Sequence, residues 1–124
     1  MEHQTPLGPG DAQAPMSREI LLDEVVDPVK ATARIQIRRI RIAPGHPAGR
    51  HIHNGPVFGS IESGSAVYQI AGQEPSVLRP GDVFHEPGGA VIEKFDATEE
   101  GVTFLGYFPL AAGEEPAIEP PADS

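Results

Sequence analysis

The chain has no cysteine and no tryptophan among its 124 residues. Without thiols there can be no disulfide, no zinc-thiolate site and no cysteine nucleophile. The absence also fits a cytoplasmic location, where disulfides are rare. Cations are scarce: nine Lys and Arg stand against 18 Asp and Glu, a formal net charge of -9. That balance argues against nucleic acid and against anionic membrane surfaces as partners. Arg34, Arg38, Arg39 and Arg41 fall close together, and we read them as the solvated face of a strand. No apolar run approaches the ~18 residues of a membrane span. Residues 1–16 lack the basic segment followed by an apolar one that marks a signal peptide.

Abundant instead are Gly and Pro, 14 of each. They break regular structure often, so many short strands are expected and long helices are not. The length suits one domain with a core of its own. Residues 1–16 have Pro and Gly but few large apolar side chains, and 111–124 are acidic and Pro-rich. Both read as flexible tails around a folded domain at 17–110.

Within that domain, strand candidates run over residues 18–26, 31–43, 51–53, 57–62, 66–70, 76–78, 83–86, 91–95 and 102–109, with turn residues between them. In the second, Ile35 and Ile37 share one parity while Ile40 and Ile42 share the other. A period-two pattern that changes phase predicts a β-bulge near Arg38-Arg39. Eight or nine short strands at this spacing indicate an all-β sandwich or barrel, and a jelly roll suits the number.

The chemistry centres on His51-Ile52-His53, directly after a Gly/Pro-rich stretch. On a strand, residues i and i+2 share a face, about 7 Å apart along the chain. Two imidazoles projecting into one space are a start for a metal site. The alternative is a pair of polar side chains at an exposed strand end. Other chemistries lack their motifs: there is no Gly-rich phosphate loop with Lys, no nucleophile elbow and no dinucleotide fingerprint.

Gly45 precedes His51-Ile52-His53 by five intervening residues, and Gly64 closes the segment. Further on comes Gly81-Asp82-Val83-Phe84-His85-Glu86-Pro87-Gly88-Gly89. These two segments resemble the paired motifs of the cupin superfamily, and the resemblance covers about residues 18–109. It implies a jelly-roll (double-stranded β-helix) barrel holding one divalent metal ion, Fe, Zn, Ni or Mn. It also implies a small organic substrate or ligand, chemistry of dioxygenase, isomerase or cyclase type, and a homodimer paired through N-terminal strands. Two positions depart from the family pattern. Val57 stands where the first motif carries a carboxylate, and Ile92 where the second carries a histidine.

His51 and His53 remain as metal ligands, and Glu93 is the third candidate. Simple alternation puts Glu93 on one face with Val91 and Phe95, and a carboxylate inside a barrel is costly unless paired or metal-bound. Two histidines and one carboxylate would make a facial triad with open positions. Glu86, just before Pro87, is a candidate for a ligand, a general base or an orienter of an imidazole. Gln69, sharing a face with Val67, joins Glu86 as a candidate catalytic residue, able to donate to, or coordinate through its oxygen near, a metal-bound ligand. A non-catalytic small-molecule-binding cupin that has lost its metal is the rival reading.

Overall fold

A computed structural model describes residues 15–121. All regular structure among the described residues is strand: β1 (Arg34–Ile42), β2 (His51–His53), β3 (Val57–Ile70), β4 (Ser76–Leu78), β5 (Val83–Glu86), β6 (Val91–Leu110) and β7 (Ile118–Glu119). They form one antiparallel sheet. Its path is β4-β3-β6-β2-β7, with β1 added to β6 and β5 to β3.

Two strands dominate. β3 has 14 residues and β6 has 20, and each absorbs two of the shorter strands expected from sequence. Ser63-Gly64-Ser65 and the segment before Val102 look like strand ends, yet the chain passes through them by bending. Register shifts against β6 fall between Ile61 and Ser63 and between Gly64 and Ala66. Gly64 has φ +73°, and a Cβ there would lie 2.0 Å from the Gly101 carbonyl oxygen. Only glycine permits both the backbone shape and the approach of the two strands. Bulges of this kind curl a sheet, and here they fold the two long strands around a common core. That core includes Phe84, Phe95 and Phe104, whose ring centroids are 4.8 to 5.7 Å apart.

β1 differs from expectation. It pairs with β6 in unbroken register from Arg34–Leu110 to Ile42–Val102, with no bulge at Arg38-Arg39. The change of hydrophobic phase is resolved by exposure instead. Ile40 and Ile42 pack on the core, while Ile35 and Ile37 are left 57% and 58% exposed. The four arginines are exposed as expected, but they divide between the two faces, Arg34 and Arg38 on the side of Ile40 and Arg39 and Arg41 on the other. Arg39 pairs with Glu62 at 2.9 Å, and the Arg38 guanidinium lies 5.3 Å from the Phe108 ring centroid.

The two ends of the domain also need revision. Residues 1–14 of the expected N-terminal tail lie outside the described residues. Residues 18–26, expected as a strand, form no regular structure. Residues 111–121, expected as part of a flexible tail, lie along the barrel. Their acidic side chains meet cations on its rim, Glu114 with Lys30 and Glu115 with Arg34. Asn54 exchanges hydrogen bonds with the backbone of Ala117, and β7 then pairs with β2.

Candidate functional site

β2 is only three residues long, but it is held on both sides. His51 lies opposite Ile92 of β6, and His53 opposite Ile118 of β7. As the two-residue spacing requires, His51 and His53 share the inner face. Their rings converge to 4.8 Å between centroids, edge to face.

The carboxylate beside them is Glu86. It ends β5, sharing the inward side with Phe84, and it pairs across the sheet with Val57. Residues directly opposite one another in antiparallel strands share a face. The carboxylate that the cupin pattern would place at Val57 therefore has a counterpart one strand over. At 4% exposure Glu86 is among the most buried polar residues described. Its Oε1 lies 2.7 Å from His53 Nε2 and 3.8 Å from His51 Nε2. One ligand atom from each of the three side chains falls within 4.8 Å of the others.

The tautomer of His51 follows from its second contact. Its Nδ1 is 2.7 Å from the Gly49 carbonyl oxygen, which can only accept, so Nδ1 carries the proton. In the neutral ring the Nε2 lone pair is then directed toward Glu86 and His53. A carbonyl fixing one ring nitrogen so that the other can bind a metal is a common supporting arrangement. Gly49 adopts φ +87°, a conformation that favours glycine.

The electrostatics are those of a tight His–Glu cluster. Glu86 is the main reason that the His51 imidazole is held above its ordinary pKa. Burial opposes that shift, and the Gly49 carbonyl assists it. Burial by itself would raise the Glu86 carboxyl, but the hydrogen bonds and charges of His51 and His53 outweigh it and hold the group below the usual range. The Tyr68 hydroxyl donates to the His85 carbonyl at 2.5 Å, fixing β5 next to Glu86. Burial, with the Glu86 and Glu24 charges, pushes that phenol far up.

The cluster opens onto a cavity of about 210 Å³. Its remaining walls are apolar, chiefly Phe84, Phe95, Phe104 and Phe108, with Ile40 and Ile118.

Glu93 is not brought to this site. The register between β3 and β6 shifts where Gln69 faces Lys94 and Ile70 faces Ile92, so Glu93 is the extra residue of a bulge. The bulge lets Ile92 and Phe95 both point inward, at 0% and 3% exposure, although their spacing is odd. Glu93 turns out instead and accepts a hydrogen bond from Arg50 Nε at 2.7 Å. Gln69 is also absent from the cluster; its Nε2 donates to the Gln73 carbonyl at 2.9 Å. His85 faces the other side of β5, stacked on Phe58 at 4.6 Å. Sequence reasoning missed Gly49 and Ile118. The Gly/Pro-rich run before His51 was a usable signal for the first, whereas the second depends on a chain end returning to the barrel.

Known structures share this architecture. A DMSP lyase structure superposes with a TM-score of 0.60 at 22% identity, covering 69% of this chain and 44% of that one. Oxalate oxidase in complex with the substrate analogue glycolate gives 0.56 at 21% identity, covering 67% and 45%. A double-stranded β-helix protein from Klebsiella pneumoniae gives 0.57 at 19% identity, covering 75% and 81%. The chain thus spans less than half the length of the first two, and at these identities the likeness is one of fold. No curated protein matches the chain. Residues 38–102, more than half of the sequence, match the Cupin domain family. With its double-stranded β-helix and the histidine pair on its inner face, the chain belongs to that family.

Proposed function

We propose that this cupin holds one divalent metal ion through His51 Nε2, His53 Nε2 and a Glu86 oxygen, and acts on a small organic molecule in the adjoining cavity. The observation that carries the reading is the clustering of those three donors within 4.8 Å, reinforced by a tautomer that directs the His51 lone pair to the same point. Two imidazoles and a carboxylate suit Fe, Zn, Ni or Mn. Glu86 thereby takes the ligand role that sequence reasoning offered to Glu93. Ile92, opposite His51, fills the place of a fourth protein ligand with hydrocarbon. Coordination positions are left for substrate or water.

When bound, such an ion supplies Lewis acidity or, as Fe(II), a centre for O2 chemistry. The protein's own residues bind and orient. His51 and His53 are fixed by Gly49 and Glu86, the aromatic walls give the ligand an apolar surface, and the Glu86 carboxylate favours a proton on the His51 imidazole when no ion is present. DMSP lyase and oxalate oxidase share the fold, and dioxygenase, isomerase and cyclase chemistry all accord with this donor set.

One observation favours the rival, a metal-free binding module: Glu86 is already compensated by the imidazoles. Protein purified without chelator separates the two. The metal reading expects about one ion per chain by elemental analysis, lost in His51→Ala/His53→Ala with the circular dichroism spectrum preserved. Metal-free wild type with an intact spectrum would establish the rival.

The same reading includes a homodimer in the cytoplasm. Support for the dimer comes from exposed apolar side chains, Ile20, Leu21, Val25 and Val29 at 60–91% exposure and Ile35 and Ile37 of β1 at 57% and 58%. Light scattering should give twice the chain mass, and Ile35→Lys/Ile37→Lys should halve it; a monomeric wild type refutes the dimer.

A further inference from the structure

We infer that the cavity beside His51, His53 and Glu86 selects a compact, singly charged ligand, a monocarboxylate with an aromatic or branched aliphatic body, and discriminates against dicarboxylates of the same size. The inference rests on the metal site proposed above and concerns what that site can accept.

Size comes first. The cavity is about 210 Å³. An apolar cavity of about 150 Å³ accommodates benzene, so there is space for roughly one ring or short branched chain with a small polar head. Shape and polarity follow from the walls. Apart from the three cluster residues, every side chain lining the cavity is apolar. The body of the ligand meets phenyl and aliphatic surface, with no donor or acceptor to recognise a second polar group.

Charge is the deciding point. The cavity is lined by no Lys and no Arg, and its titratable groups are His51, His53 and Glu86 alone. A divalent ion with the Glu86 carboxylate and two neutral imidazoles has one net positive charge. A monoanion neutralises it. A dianion would set its second carboxylate against apolar wall with no cation lining the cavity; the Arg38 guanidinium, 5.3 Å from the Phe108 ring centroid, is not among the lining side chains. Arg50, the cation at the sequence edge of β2, is engaged with Glu93 outside the cavity.

Two probes of nearly equal size test this on the full-length chain loaded with Co(II). Benzoate and succinate are titrated separately, following the visible cobalt absorption and the binding heat. Benzoate should bind saturably, perturb the spectrum, and do so at least tenfold more tightly than succinate. Ile118→Lys changes a cavity residue that is 61% exposed and so leaves the core intact. The added cation should narrow the preference several-fold by favouring succinate. If cobalt binds stoichiometrically but succinate binds as tightly as benzoate, the ligand-class inference is overturned and the metal site stands. An unchanged preference in Ile118→Lys likewise overturns the charge argument. Failure to bind cobalt at all removes both.

Discussion

Glu86 sits nearly without solvent between two imidazoles, and its proton balance makes the metal-free protein sensitive to pH. The His51 pKa is raised in the fold. Its contribution to stability is therefore fully present below the unfolded value of about 6.5 and lost as pH rises through the raised value. The Glu86 pKa is lowered. Its contribution is present above the unfolded value of about 4.3 and lost as pH falls through the depressed one. Together they make the metal-free fold most stable between these limits. A series of melting temperatures from pH 4 to 9 on chelator-treated protein should fall on the alkaline side of pH 6.5. In Glu86→Gln, which removes the main cause of the His51 shift, that alkaline fall should flatten; a variant with the wild-type profile would place the effect elsewhere. Metal binding displaces the proton from the His51 ring, so affinity should rise with pH over the same alkaline range. The same substitution should weaken metal binding by about 100-fold or more, because it removes the one anionic donor.

Among the elements, the bent strands β3 and β6 position everything else, and their bends depend on single glycines. Gly64 combines φ +73° with a virtual Cβ contact of 2.0 Å to Gly101 backbone, whereas Gly72 has φ +84° with open space around it. Gly64→Ala should therefore destabilise the fold by more than about 3 kcal/mol, adding backbone collision to left-handed strain. Gly72→Ala should cost only the strain, about 1–2 kcal/mol. Urea unfolding of the two variants checks the contrast, and equal costs would deny Gly64 its role in the crossing. At this scale the sequence was only partly legible. Period-two alternation located nearly all the paired segments, because half-buried strands must alternate. It could not show where alternation slips. The slip at Glu93 carried a candidate ligand to the outside, while the phase change across Arg38-Arg39 left two isoleucines exposed in a regular strand.

For the molecule as a whole, the returning C-terminal segment matters most. Residues 111–121 are tied to the barrel through Lys30, Arg34 and Asn54, and they bring Ile118 to the cavity wall. They also complete the pairing of the short strand that carries both histidines. Truncation after Leu110 should leave the core folded, since Phe84, Phe95 and Phe104 lie within what remains. It should remove the hydrogen-exchange protection of the Asn54 amide, which donates to the Ala117 carbonyl, while β1 amides stay protected. Loss of protection throughout β1 would show instead that the segment is integral to the fold.

Sequence alone determined most of the strand-forming segments and the histidine pair by local rules: alternation, turn residues, and a two-residue spacing that puts two side chains on one face. The fold family was legible through the resemblance of its two glycine-bracketed motifs to those of cupins. Only the tertiary structure decided which carboxylate joins the pair. Glu86 lies 33 residues beyond His53 in the chain, and it arrives because β5 pairs with β3 opposite Val57. Glu93 leaves because a bulge turns it outward. Registers and bulges are set by packing between strands distant in sequence, so the membership of the His51–His53–Glu86 cluster was fixed by the closing of the sheet rather than by any motif.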